Sequence, residues 1–198
     1  MYKCFFKRFF DIIIALLFLP FILFAFVVIA PIIYFTDKGP VFYNAKRAGK
    51  RAKPFKMFKF RSMYVNSPDL RNADGSTYNG EDDPRVTRIG KILRKTSLDE
   101  LPQLLNVLLG DMSFVGPRPT LATKTWDELD DVRKKRASIR PGITGYSQAY
   151  YRNSITQDEK FAYDAYYVEH MSLWLDVKIL LQTVISVIKR DHIFVQQK

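Results

Sequence analysis

The stretch IIIALLFLPFILFAFVVIAPIIYFT, which runs from Ile12 to Thr36, contains no charged residue and consists mainly of Ile, Leu, Phe and Val. A membrane-spanning helix needs about 20 apolar residues, so this stretch is long enough to cross a bilayer. It is longer than the apolar region of a cleavable signal peptide, and no A-x-A cleavage site follows it. Because a buried core helix of this length and purity is unusual, the stretch predicts a membrane segment.

Two features favour a re-entrant helix–break–helix hairpin over a single crossing. Pro20 lies inside the stretch, and since proline removes a backbone donor and clashes with the preceding turn, we expect the helix to kink or break near this residue. Both flanks are also basic, and basic flanks prefer the cytoplasmic side, which a hairpin satisfies for both flanks. These basic residues are Lys3, Lys7, Arg8, Lys38, Lys46, Arg47, Lys50, Arg51, Lys53, Lys56, Lys59 and Arg61.

The chain of 198 residues is basic as a whole, with 31 Lys and Arg against 20 Asp and Glu, a net charge of +11. A chain of this length can bury a hydrophobic core without the help of disulfide bonds or a zinc cluster. The single cysteine, Cys4, excludes an internal disulfide and CxxC-type metal spacing. The positive charge predicts an anionic partner: nucleic acid, a membrane surface or a phosphorylated substrate. We expect a membrane segment over residues 1–36 and a cytosolic domain over residues 37–198.

The pattern of the second part predicts short strands and several helices. The strands are expected at Val41–Tyr43 and Phe55–Phe60, before a surface loop over residues 66–85. The last helix is amphipathic and fits either a core-facing helix or one that rests on lipid headgroups. The predicted helices cover Ile89–Lys95, Asp99–Gly110, Trp126–Ala137 and Leu173–Ile188.

Asp99 and Glu100 form the densest group of chemically active residues, because they follow two bases, Arg94 and Lys95, at the start of a predicted helix. One interpretation is structural, since Ser97 and Glu100 have the spacing of a capping box. The other is catalytic. A carboxylate beside two bases should stay ionised and can attack phosphorus. A neighbouring carboxylate can help to hold Mg²⁺.

Basic residues elsewhere in the chain could bind phosphate. Arg118 lies between two prolines, and a guanidinium on a rigid loop suits bidentate phosphate binding. Neither a G-x-G-x-x-G sequence nor a P-loop is present, so hydride transfer and P-loop ATPase chemistry have no support. The further candidates for phosphate binding are Lys59, Arg61, Arg85 and Arg88.

The segment RVTRIGKILRKTSLDELPQLLNVLLGDMSFVGPRP, residues 85–119, closely resembles the signature of bacterial sugar transferases, the monotopic phosphoglycosyl transferases. The resemblance covers nearly the whole chain, and the motifs occur in the family's order. The length is similar to that of the small PglC-type members. The other matching motifs are Lys7-Arg8-x-x-Asp11, GPVF at 39–42, KFRSM at 59–63, RPGITG at 140–145 and Asp164-x-x-Tyr167-Val168.

The resemblance implies a mostly helical α+β protein with a re-entrant membrane helix, amphipathic interfacial helices and a short β element. It also implies transfer of a sugar 1-phosphate from a UDP-sugar to undecaprenyl phosphate, with release of UMP, as the first membrane step of glycoconjugate assembly. Asp99 would be the nucleophile of a ping-pong reaction and Glu100 would assist with Mg²⁺, so that the two form the metal site. Arg94 and Arg118 would contact phosphate or nucleotide.

The implied location is the cytoplasmic face of the bacterial inner membrane, with the bilayer as a partner and without nucleic acid. The sugar and the oligomeric state stay open, a homodimer included. Two other functions also stay open. One is a non-catalytic basic membrane module that binds anionic lipid or nucleic acid. The other is a glycosyltransferase that forms a ternary complex and releases UDP.

Overall fold

The computed structural model describes residues 2–70, 78, 80, 82–152 and 154–189. Part of the predicted loop over residues 66–85, namely residues 71–77, 79 and 81, lies outside the described residues. The described chain is mostly helical with two small two-stranded sheets, which confirms the mostly helical α+β expectation. Its elements are α1 (Lys7–Asp37), β1 (Ala45–Ala48), β2 (Pro54–Met57), α2 (Arg88–Thr96), α3 (Gln103–Leu109), β3 (Ser113–Val115), α4 (Asp131–Ala137), β4 (Gly142–Thr144), α5 (Tyr146–Tyr150), α6 (Gln157–His170) and α7 (Leu173–Lys189).

Helix α1 contains the apolar stretch and continues through both of its prolines, Pro20 and Pro31. The helical conformation thus continues through Pro20 without a break, and the kink expected there stays a prediction. Proline removes one N–H group, but its fixed φ is itself helical, so a helix that is packed along its length can continue through it. The helix ends at Lys38, which adopts a left-handed conformation with φ 54° and donates its N–H to the carbonyl of Tyr34 at 2.7 Å.

One face of α1 packs against the rest of the protein along most of its length. The buried side chains of this face recur mainly at intervals of four and seven residues, as expected for one side of a helix. Ala15 packs with Val107 and Met112, whereas Ile33 packs with Phe60. Both halves of α1 thus contact the same domain. The buried residues are Lys7, Asp11, Ala15, Ile22, Ile29, Ala30 and Ile33.

The opposite face of α1 is apolar and exposed. Leu17, Phe21 and Phe24 expose 67%, 67% and 72% of their surface, values that few apolar side chains of a water-soluble helix combine. By length and composition α1 could cross a membrane. One face of the helix therefore belongs to the protein core, and the other is suited to lipid.

Polar contacts attach both ends of α1 to the domain. Near the start, Lys7 pairs with Asp176 at 2.6 Å, and Asp11 accepts a hydrogen bond from the backbone N–H of Phe114 at 3.0 Å. At the other end, both carboxylate oxygens of Asp37 accept hydrogen bonds from Arg61 at 2.5 Å. A helix of 31 residues is thus attached to one domain at its beginning and at its end.

The two sheets are short, and one of them joins distant parts of the chain. Strands β1 and β2 form an antiparallel hairpin, and β3 pairs in parallel with β4. The predicted strand over Phe55–Phe60 overlaps β2, whereas the strand expected at Val41–Tyr43 is reduced to a single bridge between Phe42 and Phe60. The β3–β4 pair places two Gly- and Pro-rich segments of the chain side by side.

The helices largely follow the sequence pattern. Helix α2 is within one residue of its predicted bounds, and Gly110 ends α3 with φ 94°. Helix α4 begins at Asp131 rather than near Trp126, because the Asp130 side chain caps it by accepting the N–H of Arg133.

Helix α7 is buried on one side, as expected for a core-facing helix, while its predicted contact with lipid headgroups stays a prediction. Ile179 is fully buried in the core, whereas Trp174 and Ile188 are 66% and 73% exposed. The helix therefore presents one face to the core and a second, apolar face to its surroundings.

Candidate functional site

Asp99 and Glu100 lie on a single 3₁₀ turn, Leu98–Glu100, between α2 and α3. Ser97, which precedes this turn, ends α2 in the left-handed conformation, with φ 58°. Its side chain makes no capping hydrogen bond, so the predicted capping box is wrong. The left-handed Ser97 turns the chain between the two helices, and the Glu100 carboxylate is directed to nearby cations instead.

Two cations hold the two carboxylates. The Lys59 Nζ lies 2.8 Å from Asp99 Oδ2 and 3.5 Å from Glu100 Oε1. Arg118 Nη2 lies 3.4 Å from the same Glu100 oxygen. The Asp99 side chain is 3% exposed, whereas that of Arg118 is 54% exposed. A buried carboxylate thus lies beneath a lysine, with an arginine at the open side.

The backbone positions Lys59 for this contact. The segment after β2 runs beside the 3₁₀ turn, where the N–H of Phe60 donates to the carbonyl of Asp99 at 2.9 Å. Asn106, fully buried on α3, fastens the same segment, because it accepts the N–H of Phe58 at 2.9 Å and donates to the Lys56 carbonyl at 2.7 Å. Lys59 therefore lies on a segment that hydrogen bonds hold on both sides.

The environment shifts the pKa values of the two carboxyl groups in opposite directions. Burial raises the pKa of Asp99, and the charge of Glu100 adds to this effect, while Lys59 and Arg94 oppose it. Burial would also raise the pKa of Glu100, but Arg118 and Lys59 outweigh it and hold this pKa below the ordinary value. The sequence predicted that Arg94 and Lys95 keep Asp99 ionised, whereas Lys59 is the cation that most favours its ionised form and burial opposes it. Neighbouring carboxyl groups whose pKa values are shifted in opposite directions are typical of catalytic pairs.

Three further charged side chains, Arg94, Asp83 and Arg85, lie behind Asp99. Arg94 donates through Nε to Ser62 Oγ at 3.0 Å, and its Nη1 lies 4.0 Å from Asp83 Oδ2. Arg85 donates to both oxygens of Asp83, at 2.9 and 2.7 Å. Asp83, which sequence reasoning missed, is only 1% exposed and joins the two arginines. Composition gave no signal for it, since the surrounding stretch has the pattern of a surface loop.

Besides Arg85, which pairs with Asp83, two further predicted phosphate-binding arginines make no direct contact with the carboxylates. Arg61 is 7% exposed and its guanidinium is bound by Asp37 and by the carbonyl of Pro40, at the end of α1. Arg88 is exposed on the first turn of α2. Among the described residues, no hydrogen bond or ion pair links either arginine to Asp99 or Glu100. The described cluster is therefore smaller than the set predicted from the sequence.

Buried contacts hold the Arg118 loop from behind. The Arg118 carbonyl accepts a hydrogen bond from the Arg136 guanidinium. Arg136 Nε in turn donates to Asp164 Oδ2 at 2.8 Å, and Ser147 Oγ donates to the other Asp164 oxygen at 2.8 Å. Arg136 and Asp164 are 8% and 2% exposed. Arg136 thus fixes the backbone of a site residue, a role that the sequence does not predict.

The RPGITG motif packs directly against the same loop. The Gly142 N–H donates to the Pro117 carbonyl at 3.0 Å, and a Cβ at Gly142 would lie only 2.1 Å from the Gly116 nitrogen. A Cβ at Gly145 would lie 2.2 Å from the Gly116 carbonyl oxygen. Glycine is required at both positions because the two backbones touch.

The predicted metal ligands, Asp99 and Glu100, are adjacent carboxylates with a lysine between them. Over the described ranges, no group of three or more His, Cys, Asp or Glu side chains could hold a metal ion. Mg²⁺ commonly binds one or two carboxylates, with waters and substrate phosphates completing its shell. The donor set therefore fits Mg²⁺ bound together with a phosphorylated substrate, and does not form a closed metal cage.

Comparison with known sequences places the chain in a family. The sequence model of the bacterial sugar transferase family matches residues 2–190. This chain belongs to the bacterial sugar transferase family. The match includes α1, the carboxylate pair and the Arg118 loop, so the contacts described above lie within the family's shared region.

Three relatives illustrate the range of this sugar transferase family. The chain is 37% identical, over 94% of its length, to the undecaprenyl-phosphate galactose phosphotransferase of Salmonella typhimurium. It is 41% identical, over 90% of its length, to the UDP-glucose:undecaprenyl-phosphate glucose-1-phosphate transferase of Klebsiella pneumoniae. It is 38% identical, over 91% of its length, to the exopolysaccharide production protein ExoY of Sinorhizobium fredii. The chain spans 41%, 39% and 84% of these three relatives, respectively.

Proposed function

We propose that this sugar transferase moves a sugar 1-phosphate from a UDP-sugar to undecaprenyl phosphate and releases UMP. Family membership and the activities for which the Salmonella and Klebsiella relatives are named support the overall reaction. The observation that carries the proposal is the buried Asp99 beneath Lys59, beside a Glu100 that contacts the exposed Arg118. This arrangement offers a nucleophile and two cations for a phosphorylated substrate.

The proposed reaction has two displacements at one phosphorus atom. An Asp99 oxygen attacks the β-phosphorus of the UDP-sugar, and the bond to the bridging oxygen breaks, so that UMP leaves with the electron pair. The sugar phosphate is then bound to Asp99 as an acyl phosphate. An oxygen of the undecaprenyl phosphate attacks the same phosphorus, and the Asp99 carboxylate leaves unchanged.

Lys59 and Arg118 have complementary roles in this mechanism. Lys59 keeps Asp99 ionised until the diphosphate arrives, and can then pair with a phosphate oxygen, which frees the carboxylate oxygen for attack. Arg118 neutralises charge that develops on the leaving phosphate. Asp99 and Glu100 would hold Mg²⁺, which supplies further charge stabilisation on the diphosphate when bound.

We also propose that the protein is monotopic and lies on the cytoplasmic face of the bacterial inner membrane. Both ends of α1 are attached to one domain, and the buried face between them packs on that domain. A helix that crossed the bilayer would draw the polar domain into the hydrocarbon, where unsatisfied polar groups are costly. The exposed apolar faces of α1 and α7 would instead enter one side of the bilayer.

Product analysis tests the reaction. The protein is incubated with a panel of UDP-sugars, with and without undecaprenyl phosphate, and the released nucleotide is identified. UMP supports the proposal, whereas UDP indicates a ternary-complex glycosyltransferase. Without the lipid acceptor, mass spectrometry should find a sugar-phosphate adduct on Asp99, and its absence would contradict the two-step order. The exposed carboxylate variant Asp127→Asn is the matched control.

Cysteine labelling tests the membrane arrangement. In a Cys4→Ser background, Lys3→Cys and Lys38→Cys place single thiols at the two ends of α1. Both should resist a membrane-impermeant thiol reagent in intact cells and react once the cells are permeabilised. Labelling of one end but not of the other in intact cells would show a crossing and exclude the monotopic arrangement.

A further inference from the structure

Two arginines from distant parts of the chain meet at the C-terminal end of α3. Arg8, on the first turn of α1, donates through its two Nη atoms to the carbonyls of Val107 and Leu108. Arg140, which lies just before β4, donates through Nε to the carbonyl of Gly110 at 2.7 Å. The last carbonyl groups of a helix have no partner within the helix and carry partial negative charge, so they hold both guanidinium groups in place.

The two arginines lie close together without an acidic partner. A Cβ at Gly110 would lie 3.5 Å from Arg8 Nη2, and the carbonyl of the same glycine binds Arg140. Burial lowers the pKa of Arg8 and the charge of Arg140 lowers it further, whereas the charge of Asp11 opposes both effects. The Asp11 carboxylate is itself bound by the Ser113 hydroxyl at 3.1 Å. Within the described ranges, no residue forms an ion pair with either arginine.

Arg140 leaves most of its hydrogen-bonding capacity unused. Its Nε is bound, but no residue that the structure describes accepts a hydrogen bond from its Nη atoms. The side chain is partly exposed, so a ligand can approach it. Free N–H groups on one planar guanidinium, with a second cation beside them, suit contact with two oxygens of a phosphate group.

Exposed apolar side chains lie beside this arginine pair. Phe5 precedes Arg8 by about one turn and is 65% exposed. Leu109, which follows a residue whose carbonyl Arg8 binds, is 68% exposed. Leu105, one turn earlier on α3, lines an apolar pocket together with the exposed Leu23 of α1. The end of α3 therefore lies on the apolar side of the protein that is suited to lipid, where arginines can reach headgroup phosphates.

We propose that Arg8 and Arg140 bind the phosphate of an anionic phospholipid, with an acyl chain of that lipid against Leu109 and Phe5. The inference rests on the proposed placement of α1 in the bilayer and does not depend on the proposed reaction. A phosphate ion from solution would gain nothing from the apolar side chains beside the site. A zwitterionic headgroup carries a cation that the second arginine would repel, so phosphatidylglycerol should bind more tightly than phosphatidylcholine.

Native mass spectrometry of the full-length protein tests the ligand. The protein in a neutral detergent is titrated with phosphatidylglycerol or with phosphatidylcholine, and the bound lipid is quantified in the presence and absence of millimolar inorganic phosphate. Phosphatidylglycerol should bind about tenfold more tightly than phosphatidylcholine, and inorganic phosphate should not displace it. Equal binding of the two lipids, or displacement by inorganic phosphate, would overturn the inference. The measurement needs no turnover, so its result is separate from a failure to release UMP.

Two cations that bind the end of a helix provide a matched pair of variants. Arg140→Gln removes a positive charge and a hydrogen bond at the end of α3. Lys3→Gln makes the same change at the end of α6, because Lys3 donates to the carbonyls of Val168 and Glu169 at 2.9 and 3.0 Å. Arg140→Gln should lower the affinity for phosphatidylglycerol about tenfold, whereas Lys3→Gln should leave it unchanged. Equal losses would indicate general electrostatic attraction and contradict a site at Arg140.

If Arg140→Gln does not fold, Leu109→Glu and Leu109→Gln replace it, because both change an exposed side chain and keep the hydrogen bonds of the two arginines. The glutamate places a carboxylate beside the arginines, where it competes with the phosphate, and the glutamine has the same shape without the charge. The affinity for phosphatidylglycerol should be about tenfold lower in Leu109→Glu than in Leu109→Gln. Equal affinities of the two variants would contradict the inference.

Discussion

Lys59 and Arg61 are two residues apart, yet the pKa values of the carboxyl groups that they bind are shifted in opposite directions. Arg61 and Asp37 form a bidentate pair in which the Arg61 hydrogen bonds hold the pKa of Asp37 below its ordinary value. Lys59 is the nearest cation to Asp99, but burial raises the pKa of that carboxyl group. The first pair is satisfied and structural. In the second pair, the effect of burial on the pKa of Asp99 exceeds the opposing effect of Lys59, as expected of a carboxyl group that reacts.

The largest expected effect separates the two carboxylates. Asp99→Asn should lower UMP release by about a thousandfold or more, because an amide cannot form the acyl phosphate. Asp37→Asn makes the same chemical change in the structural pair and is the control. Steady-state UMP release by folded protein measures both. An Asp99→Asn protein that keeps most of its turnover would remove Asp99 as the nucleophile.

Loss of the lysine should have the next largest effect. Lys59→Met should lower kcat/KM for the UDP-sugar by about a hundredfold, because a preorganised cation is lost from the reacting phosphates. The pH–rate profile should also move. Asp99 is active as the carboxylate, so activity falls as the pH drops through its pKa, and without Lys59 this fall should begin at higher pH. An acidic limb that stays in place would contradict the role of Lys59. The exposed Lys56→Met is the matched control.

A smaller effect is expected from the residue behind the Arg118 loop. Arg136→Gln should lower kcat/KM for the UDP-sugar by about tenfold, because the Arg118 backbone loses the hydrogen bond that positions it. In an Arg118→Ala background the same change should have little further effect. This double-mutant cycle distinguishes positioning from general destabilisation. Independent, additive losses would argue against the positioning role.

The smallest effect on activity should come from the structural pair. Asp37→Asn should cost about 3 kcal/mol of stability, because it leaves the buried Arg61 charge without its partner. Turnover of the folded protein should change less than twofold. In the wild type the folded pKa of Asp37 is lowered, so its stabilisation is present above the unfolded pKa, about 3.9, and is lost as the pH falls through the folded pKa. Thermal unfolding at pH 7 and pH 3 measures the loss of stability and its dependence on pH. The difference in unfolding temperature between the variant and the wild type should be smaller at pH 3 than at pH 7.

Local chemistry made part of this fold predictable. Gly110 ends α3 and the apolar run forms α1, because both depend on residues that are neighbours in the chain. The sequence did not predict the partner of Arg61, since Asp37 is 24 residues away and every acidic residue is an equal candidate. The helix also continues through Pro20 without a break, and its packing against distant residues such as Phe60 and Val107 cannot be read from the neighbouring sequence.

The candidate site was predictable to a similar extent. Asp99, Glu100 and Arg118 could be selected because adjacent carboxylates and a proline-flanked arginine are local patterns. Asp83 and Arg136 could not, because a buried ion pair and a hydrogen bond to a distant carbonyl leave no mark in the sequence nearby.

The attachment of α1 at both ends has a mechanical consequence for the membrane. In the proposed arrangement, Phe21 and Phe24 of each molecule insert bulky rings into a single leaflet and leave the other unchanged. Added area in one leaflet favours bending toward that side, and the insertion of interfacial apolar helices depends on membrane curvature and lipid packing. In this arrangement, membrane binding should therefore depend on the lateral packing of the lipids.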